Sequence, residues 1–256
     1  TYAGGTIGGS DRGYWAMGTT QPSSPPPAVT ITQRLDYAND TLGTVTKGNT
    51  AYQKYGVSAV CSQEDGLGRK LALESFAFGN NPTSDYPYGY WAGGWYPSGT
   101  NGATTAVDRI DFANDTENGV ERGPLSRSRW AIGGTGNTNY GYYGSARDNG
   151  TPGFSIVDRI DYSNDTITAS QRGPLTSARQ YAAGVANANY AYFMGGWIPA
   201  TVTTVDRLDF ANDTALTSEK GPLSLAKYTG GATGNKDYAW WGGGRDPGNY
   251  YSSTDR

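Results

Sequence analysis

A chain of 256 residues with 38 Gly, 13 Pro and 20 Tyr, only 17% charged, describes short strands and tight turns. Its net charge of −3 gives no electrostatic reason to expect nucleic acid or an acidic membrane as partner, and no apolar stretch is long enough to span a bilayer. There is no histidine and a single cysteine, Cys61, which excludes histidine-based acid–base or nucleophile chemistry, an intrachain disulfide and a thiolate metal cluster.

In chain order, "TYAGGTIGG" (1–9) reads as a first, glycine-rich strand and "GYWAMG" (13–18) as a second, aromatic one. An extended proline-rich loop, "TTQPSSPPPAVT" (19–30), leads to the strand that carries Arg34. "KGNTAYQKYGVSAV" (47–60) aligns with "KGPLSLAKYTGGAT" (220–233) and supplies the first strand of a second unit, whose aromatic strand resumes at "YPYGYWAGG" (86–94). About 25 additional residues therefore lie between these two strands, around Cys61 to Asp85, and "EDGLGRKLALESFAF" within them is expected to form a short amphipathic helical turn. Cys61 stands among acidic neighbours and is expected to be a small half-buried side chain rather than a reactive thiol.

From here the chain repeats itself openly. "VDRIDFANDTENGVERGPLSRSRWAIG" (107–133) returns as "VDRIDYSNDTITASQRGPLTSARQYAAG" (157–184) and "VDRLDFANDTALTSEKGPLSLAKYTGG" (205–231). The arginines Arg34, Arg109, Arg159, Arg207 and Arg256 stand 75, 50, 48 and 49 residues apart, the first interval holding the insertion. In residues 178–224, "ARQYAAGVA" suits a crowded strand, "YAYFMGG" is an apolar strand ended by glycines, and "TVTTVDRLDFA" alternates by face. "NDT" turns the chain, and "ALTSEKGPLS" closes the unit with a more polar strand. Four strands in about 49 residues make one twisted sheet that must stack on neighbours to bury both faces.

The order of apolar strand, double glycine, "VDRLDF", "NDT" and "GPLSxAR/K" resembles the kelch repeat across essentially the whole chain. That family shows an aromatic-Asp strand after the double glycine and a Pro-Leu-Pro lead-in with an arginine before the next blade. Two departures stand out: the tryptophan usual in the fourth strand is missing, and the double glycine is eroded at Met17-Gly18 and Ser145-Ala146. The resemblance implies an all-β propeller of four-stranded kelch-like blades, with units at about 1–53, 54–128, 129–178, 179–226 and 227–256. Five blades are expected, the last short of its outer strand; a larger ring remains the alternative. The chain is expected to be part of a longer protein. The wording "VDRIDYSNDT…RGPLS" is also similar to tandem repeats in structural proteins of marine bacteriophages, cyanophage-like ones among them, which implies a virion or extracellular location.

Candidate sites divide into scaffold and surface. The "NDT" turns (Asn39, Asn114, Asn164, Asn212) match a glycosylation sequon and superficially suggest calcium, but a tight turn supplies too few convergent oxygens, so turn bonding is the expectation. Arg109 with Asp111, Arg159 with Asp161 and Arg207 with Asp209 share strand faces and are expected to be structural ion pairs linking strands or blades. Acids that break the repeat, as a catalytic acid would, are Asp11, Glu64, Asp65, Glu74 and Asp85, and none is on an obvious inner strand. The position after the double glycine reads Thr19, Trp95, Arg147, Trp197 and Arg245, with Asp148 and Asp246 beside the arginines. It opens the loops between second and third strands, on the face shared with the "GPLSxAR" connections. Aromatics and arginine are what binding surfaces favour, although Trp95 and Trp197 could equally cap neighbouring blades. The expectation is a non-enzymatic binding or structural module without cofactor or metal. Its partners are expected to be other virion proteins or a host-surface glycan or protein, a lectin-like binder being the alternative.

Overall fold

The computed structural model describes residues 5–8, 12–16, 29–39, 43–51, 53–54, 57–61, 88–96, 102–235 and 237–256. Thr19 and most of the proline-rich loop lie outside the described residues. So do Asp11, Glu64, Asp65, Glu74, Asp85 and the expected helical turn.

Alternating apolar and polar positions, punctuated by Gly, Asn and Pro, give short antiparallel strands throughout. The first sheet is formed by β1 (Gly5–Gly8), β2 (Arg12–Ala16), β3 (Thr32–Asp36) and β4 (Val45–Lys47) in that order. β5 (Ser58–Cys61) and β6 (Tyr88–Ala92) begin the second. A small hairpin, β7 (Trp95–Tyr96) with β8 (Gly102–Ala103), then intervenes before β9 (Val107–Asp111) and β10 (Val120–Arg122) complete that sheet. The third comprises β11 (Gly133–Gly136), β12 (Tyr140–Gly144), β13 (Val157–Asp161) and β14 (Ser170–Arg172). The fourth comprises β15 (Ala183–Ala186), β16 (Tyr190–Met194), β17 (Val205–Asp209) and β18 (Ser218–Lys220). The last is three-stranded: β19 (Gly231–Gly234), β20 (Ala239–Gly242) and β21 (Thr254–Asp255).

Turn chemistry fixes the register. Between β11 and β12, Asn137 accepts the amides of Asn139 and Tyr140; Asn187 and Asn235 do the same in the next two sheets. The third strands then align so that Arg159 stands opposite Tyr142, and Arg207 opposite Tyr192.

First strands of successive sheets are neighbours: β1 lies against β5, β5 against β11, β11 against β15, and β15 against β19. Only small residues tolerate that approach. A Cβ on Gly184 would sit 2.5 Å from the Gly134 carbonyl oxygen. The core is correspondingly divided into layers between consecutive sheets rather than gathered in one place. Tyr14, Val57, Trp91 and Phe112 fill the first; Tyr90, Leu125, Tyr143 and Ile160 the second. Tyr142, Leu175, Phe193 and Leu208 fill the third, and Val185, Met194, Leu223 and Trp241 the fourth. Each large apolar side chain buried this way is worth roughly 1.5–3 kcal/mol, and no sheet buries its set without a neighbour.

Candidate functional site

Neighbouring charges on one strand point to opposite faces and do different work. On β17, Asp206 faces inward and meets Arg179 at 2.6 Å, both side chains fully buried. The carboxylate also accepts the hydroxyls of Thr176 and Thr217 at 2.7 and 3.0 Å. Arg179 in turn donates to the carbonyls of Gly195 and Phe193 at 2.8 and 3.0 Å, tying the connection that enters the fourth sheet to the root of its loop. Arg129–Asp158 (3.0 Å), Lys54–Asp108 (2.7 Å) and Lys227–Asp255 (2.7 Å) occupy equivalent places. Burial pushes the pKa of Lys54 and of Arg129 down, opposed by the carboxylates of Asp108 and Asp158. These pairs root the loop face from beneath.

The next residue along each strand, the arginine, reaches across to the following sheet. Arg34 meets Asp115 at 2.7 Å, Arg109 meets Asp165 at 2.8 Å and Arg159 meets Asp213 at 2.7 Å. The acceptors are the aspartates of the "NDT" turns. For Arg109 and Arg159 these are ion pairs of the expected kind, linking one sheet to the next, whereas Asp111, Asp161 and Asp209 take no part in them. Those aspartates end their strands, and each carboxylate accepts an amide two residues ahead, at Ala113, Ser163 and Ala211. A local turn bond competes successfully because the strand stops there. Each turn aspartate also takes a tyrosine hydroxyl from the preceding sheet: Tyr14 to Asp115, Tyr90 to Asp165 and Tyr142 to Asp213. Burial and the adjoining carboxylate push Tyr14 up to about 12 and raise Tyr90 and Tyr142 as well. Burial opposes ionisation of Asp115, but Arg34, Tyr14 and Lys47 outweigh it and hold its pKa below the usual value.

Above this scaffold, the loops after the second strands bridge to the connections that enter the sheets. Trp130 pairs with Arg147, Gln180 with Trp197 and Tyr228 with Arg245. The rings at that end form a continuous run. Trp95 and Trp130 lie 5.3 Å apart, Trp130 and Tyr181 5.9 Å, and Tyr181 and Tyr228 5.7 Å. Arg147 lies 5.0 Å over Trp130, and Arg245 5.2 Å over Tyr228. All six side chains are partly exposed. Partly exposed rings under guanidinium groups offer flat apolar faces edged with positive charge.

An uncommon backbone conformation sets this run. Ala131, Tyr181 and Thr229 occupy equivalent positions at φ 57°, 60° and 58°. In that left-handed state the Tyr181 amide reaches the Ala131 carbonyl at 2.9 Å, and the Thr229 amide reaches Tyr181 at 3.3 Å. Positive φ costs a non-glycine residue about 1–2 kcal/mol, so these links between sheets carry strain at the loop face.

The sequence-predicted residues fare unequally in this arrangement. Trp95, Arg147 and Arg245 belong to the run. Trp197 pairs its backbone with Gln180 and Thr201 and makes no ring contact among the described residues. Asp148 and Asp246 hold their own loops. Asp148 accepts the amides of Gly150 and Thr151 and ion-pairs with Arg127 at 2.7 Å. Asp246 bonds Tyr251, Gly248 and Asn249, which lowers its pKa to about 2. Sequence reasoning missed Trp130, Tyr181 and Tyr228. Their signal was an aromatic one or two positions after the basic residue of "SxAR/K", inside a stretch that otherwise reads as a small-residue strand. Among the described residues, no group of three or more His, Cys, Asp or Glu side chains is placed to hold a metal ion.

No family model matches the chain, and no curated protein matches its sequence. In fold, the chain is similar to a solved structure described as that of YjhT, with a TM-score of 0.72 at 9% sequence identity. The match covers 98% of this chain and 80% of that one.

Proposed function

We propose that this chain is a five-bladed, kelch-like β-propeller that serves as a non-enzymatic binding or structural module. The sheets stack in chain order with their glycine-rich strands adjacent, which supports a radial arrangement. The observation that carries the binding reading is the partly exposed run Trp95–Trp130–Tyr181–Tyr228, flanked by Arg147 and Arg245. The module belongs to a virion, as a tail, fibre or capsid accessory component that meets a host surface or another virion protein. That assignment rests on the similarity of the repeats to those of marine bacteriophage structural proteins; the fold by itself serves many functions. Sedimentation of native source material, with mass spectrometry of every fraction, tests it. Co-migration of these repeat peptides with capsid or tail proteins supports the reading, and recovery only as a small free protein overturns it.

The same aromatic run favours a second reading, a lectin-like propeller whose rings stack on sugar faces and gain strength from several weak sites. A glycan array separates the two: sugar binding lost on Trp95→Ala and Trp130→Ala supports it, and no retained glycan excludes it.

A further inference from the structure

The inward ion pair of the second sheet differs from its counterparts in the third and fourth. There the base is an arginine with several acceptors. Arg129 meets Asp158 and donates to the carbonyls of Tyr143 and Ile156, each at 3.3 Å, and Arg179 meets Asp206 and donates to Gly195 and Phe193. Their carboxylates are as well served. Asp158 accepts the Ser126 hydroxyl at 2.6 Å and the Ser126 amide at 2.8 Å, and Asp206 accepts the hydroxyls of Thr176 and Thr217. In the second sheet these groups are missing. Ala51 stands in the place of Ser126 and Thr176, Gly119 in the place of Thr217, and Lys54 in the place of the arginine.

What remains around Lys54 and Asp108 suits an amide better than two ions. Nζ lies 2.7 Å from Oδ2, with both side chains fully buried. Among the described residues Nζ has one other acceptor, the Ala106 carbonyl at 3.1 Å, and the carboxylate has one other donor, the Ala51 amide on Oδ1 at 3.2 Å. An ammonium carries three donors and a carboxylate about four acceptor sites, so two buried ions are left short of partners here. An amide needs one acceptor for its N–H and one donor for its oxygen, and both are already in position. Burial also pushes Lys54 down toward the uncharged amine, which is the nucleophilic form.

We propose that Lys54 and Asp108 condense into an intramolecular isopeptide bond, a covalent modification that the chain makes by itself. One proton passes from Nζ to the carboxylate, giving a neutral amine and a neutral acid. The Nζ lone pair then bonds to Cγ, the Cγ–Oδ2 bond breaks, and Oδ2 departs as water with a second proton from Nζ. Nothing is oxidised or reduced. Oδ1 becomes the amide oxygen held by Ala51, and the last hydrogen on Nζ is donated to Ala106. Glu121 stands opposite Asp108 in the strand pair and its charge reaches Lys54, so a second carboxylate adjoins the pair to carry a proton between nitrogen and oxygen. The bond fastens the connection entering the second sheet to that sheet's third strand, across a span that contains the insertion around Cys61 to Asp85. It is separate from the aromatic loop face and does not rest on the function proposed for it.

The test is the intact mass of the purified, denatured chain, followed by tryptic digestion and tandem mass spectrometry. A linked fraction lighter than the sequence by one water is expected, with no cleavage after Lys54 and a branched peptide that joins Lys54 to Asp108. Lys54→Arg recreates the ion pair of the third and fourth sheets, so it folds but cannot form the bond, and its mass is expected to equal that of its sequence. A parent chain that keeps its full mass after prolonged incubation at neutral pH, and is cut after Lys54, overturns the proposal. Loss of water that persists in Lys54→Arg, or that yields no branched peptide, reports dehydration elsewhere and overturns it as well.

Discussion

Arg179 and Asp206 stand 2.6 Å apart with neither side chain exposed to solvent, one at the entry to the fourth sheet and the other in its third strand. The pair is satisfied on every side, since the carboxylate takes two threonine hydroxyls and the guanidinium two carbonyls. Removing one partner leaves a buried uncompensated charge. Arg179→Met is expected to cost about 3–5 kcal/mol, whereas Arg179→Met combined with Asp206→Leu recovers a large part of the loss. Urea unfolding of the two single variants and the double variant measures the coupling.

Glycine packing at the sheet junctions makes a paired prediction. Gly173→Ala drives a methyl to within 1.6 Å of the Ala215 carbonyl oxygen, so the two sheets must part. A loss of about 2 kcal/mol or more is expected. Gly221→Ala, the same change one unit later, meets no atom within 4 Å among the described residues and is expected to fall within about 0.5 kcal/mol of the parent. Equal effects on thermal unfolding at the two positions would contradict this contrast.

Stability is expected to fall at both ends of the pH scale for separate reasons. Asp115 has a native pKa below its ordinary 3.8, so its contribution is present above that value and disappears as pH drops through the lower native one. Tyr14 moves the opposite way, from 10.0 to about 12. The folded state keeps a proton that the unfolded state releases, so stability is intact below pH 10 and is lost as pH climbs from there toward 12. Tyr14→Phe should reduce the alkaline limb, to which Tyr90 and Tyr142 also contribute, and weaken the acid limb, because the Tyr14 hydroxyl is one of the groups that hold Asp115 down; chemical denaturation across the pH range will show both.

Strain at the loop face separates folding from binding. Thr229 is exposed and sits at φ 58°, so Thr229→Gly should stabilise the chain by about 0.5–1 kcal/mol. Tyr181→Gly relieves the same strain but removes the ring that joins Trp130 to Tyr228. A chain no less stable than about 1 kcal/mol below the parent, with ligand affinity down tenfold or more, is the expected result. A calorimetric melt and a binding titration on the same sample check both halves.

The sheets were legible from sequence because period-two alternation, "NDT" turns and glycine-ended aromatic strands recur at a nearly constant interval. Partnerships between side chains were less so. Arg109 and Asp111 share a face and were both expected in ion pairs that link strands or blades, yet Asp111, at a strand's end, bonds its own turn, and the arginine finds Asp165, which lies 56 positions away along the chain. Distance along the chain carries no sign of that contact. The inward Asp206 was visible as a charge on an apolar face, but its partner Arg179 lay in a segment read only for its small residues. The loop face was half legible. Trp95, Arg147 and Arg245 were found by register, whereas Tyr181 joins them through a left-handed backbone turn that side-chain identity does not announce.

Each of the three joins among the first four sheets has a giver and a taker. Hydroxyl and guanidinium donors always come from the earlier sheet, and the turn carboxylate from the later one. The array is therefore polar, like a row of couplings that all face one way. A unit inserted in the same orientation brings its own taker for the unit before it and its own givers for the unit after. A unit inserted backwards sets like against like at two joins. Growth or loss of whole repeats thus leaves the rule of assembly untouched, which is a physical reason why such a chain can lengthen by copying itself while its loops diverge.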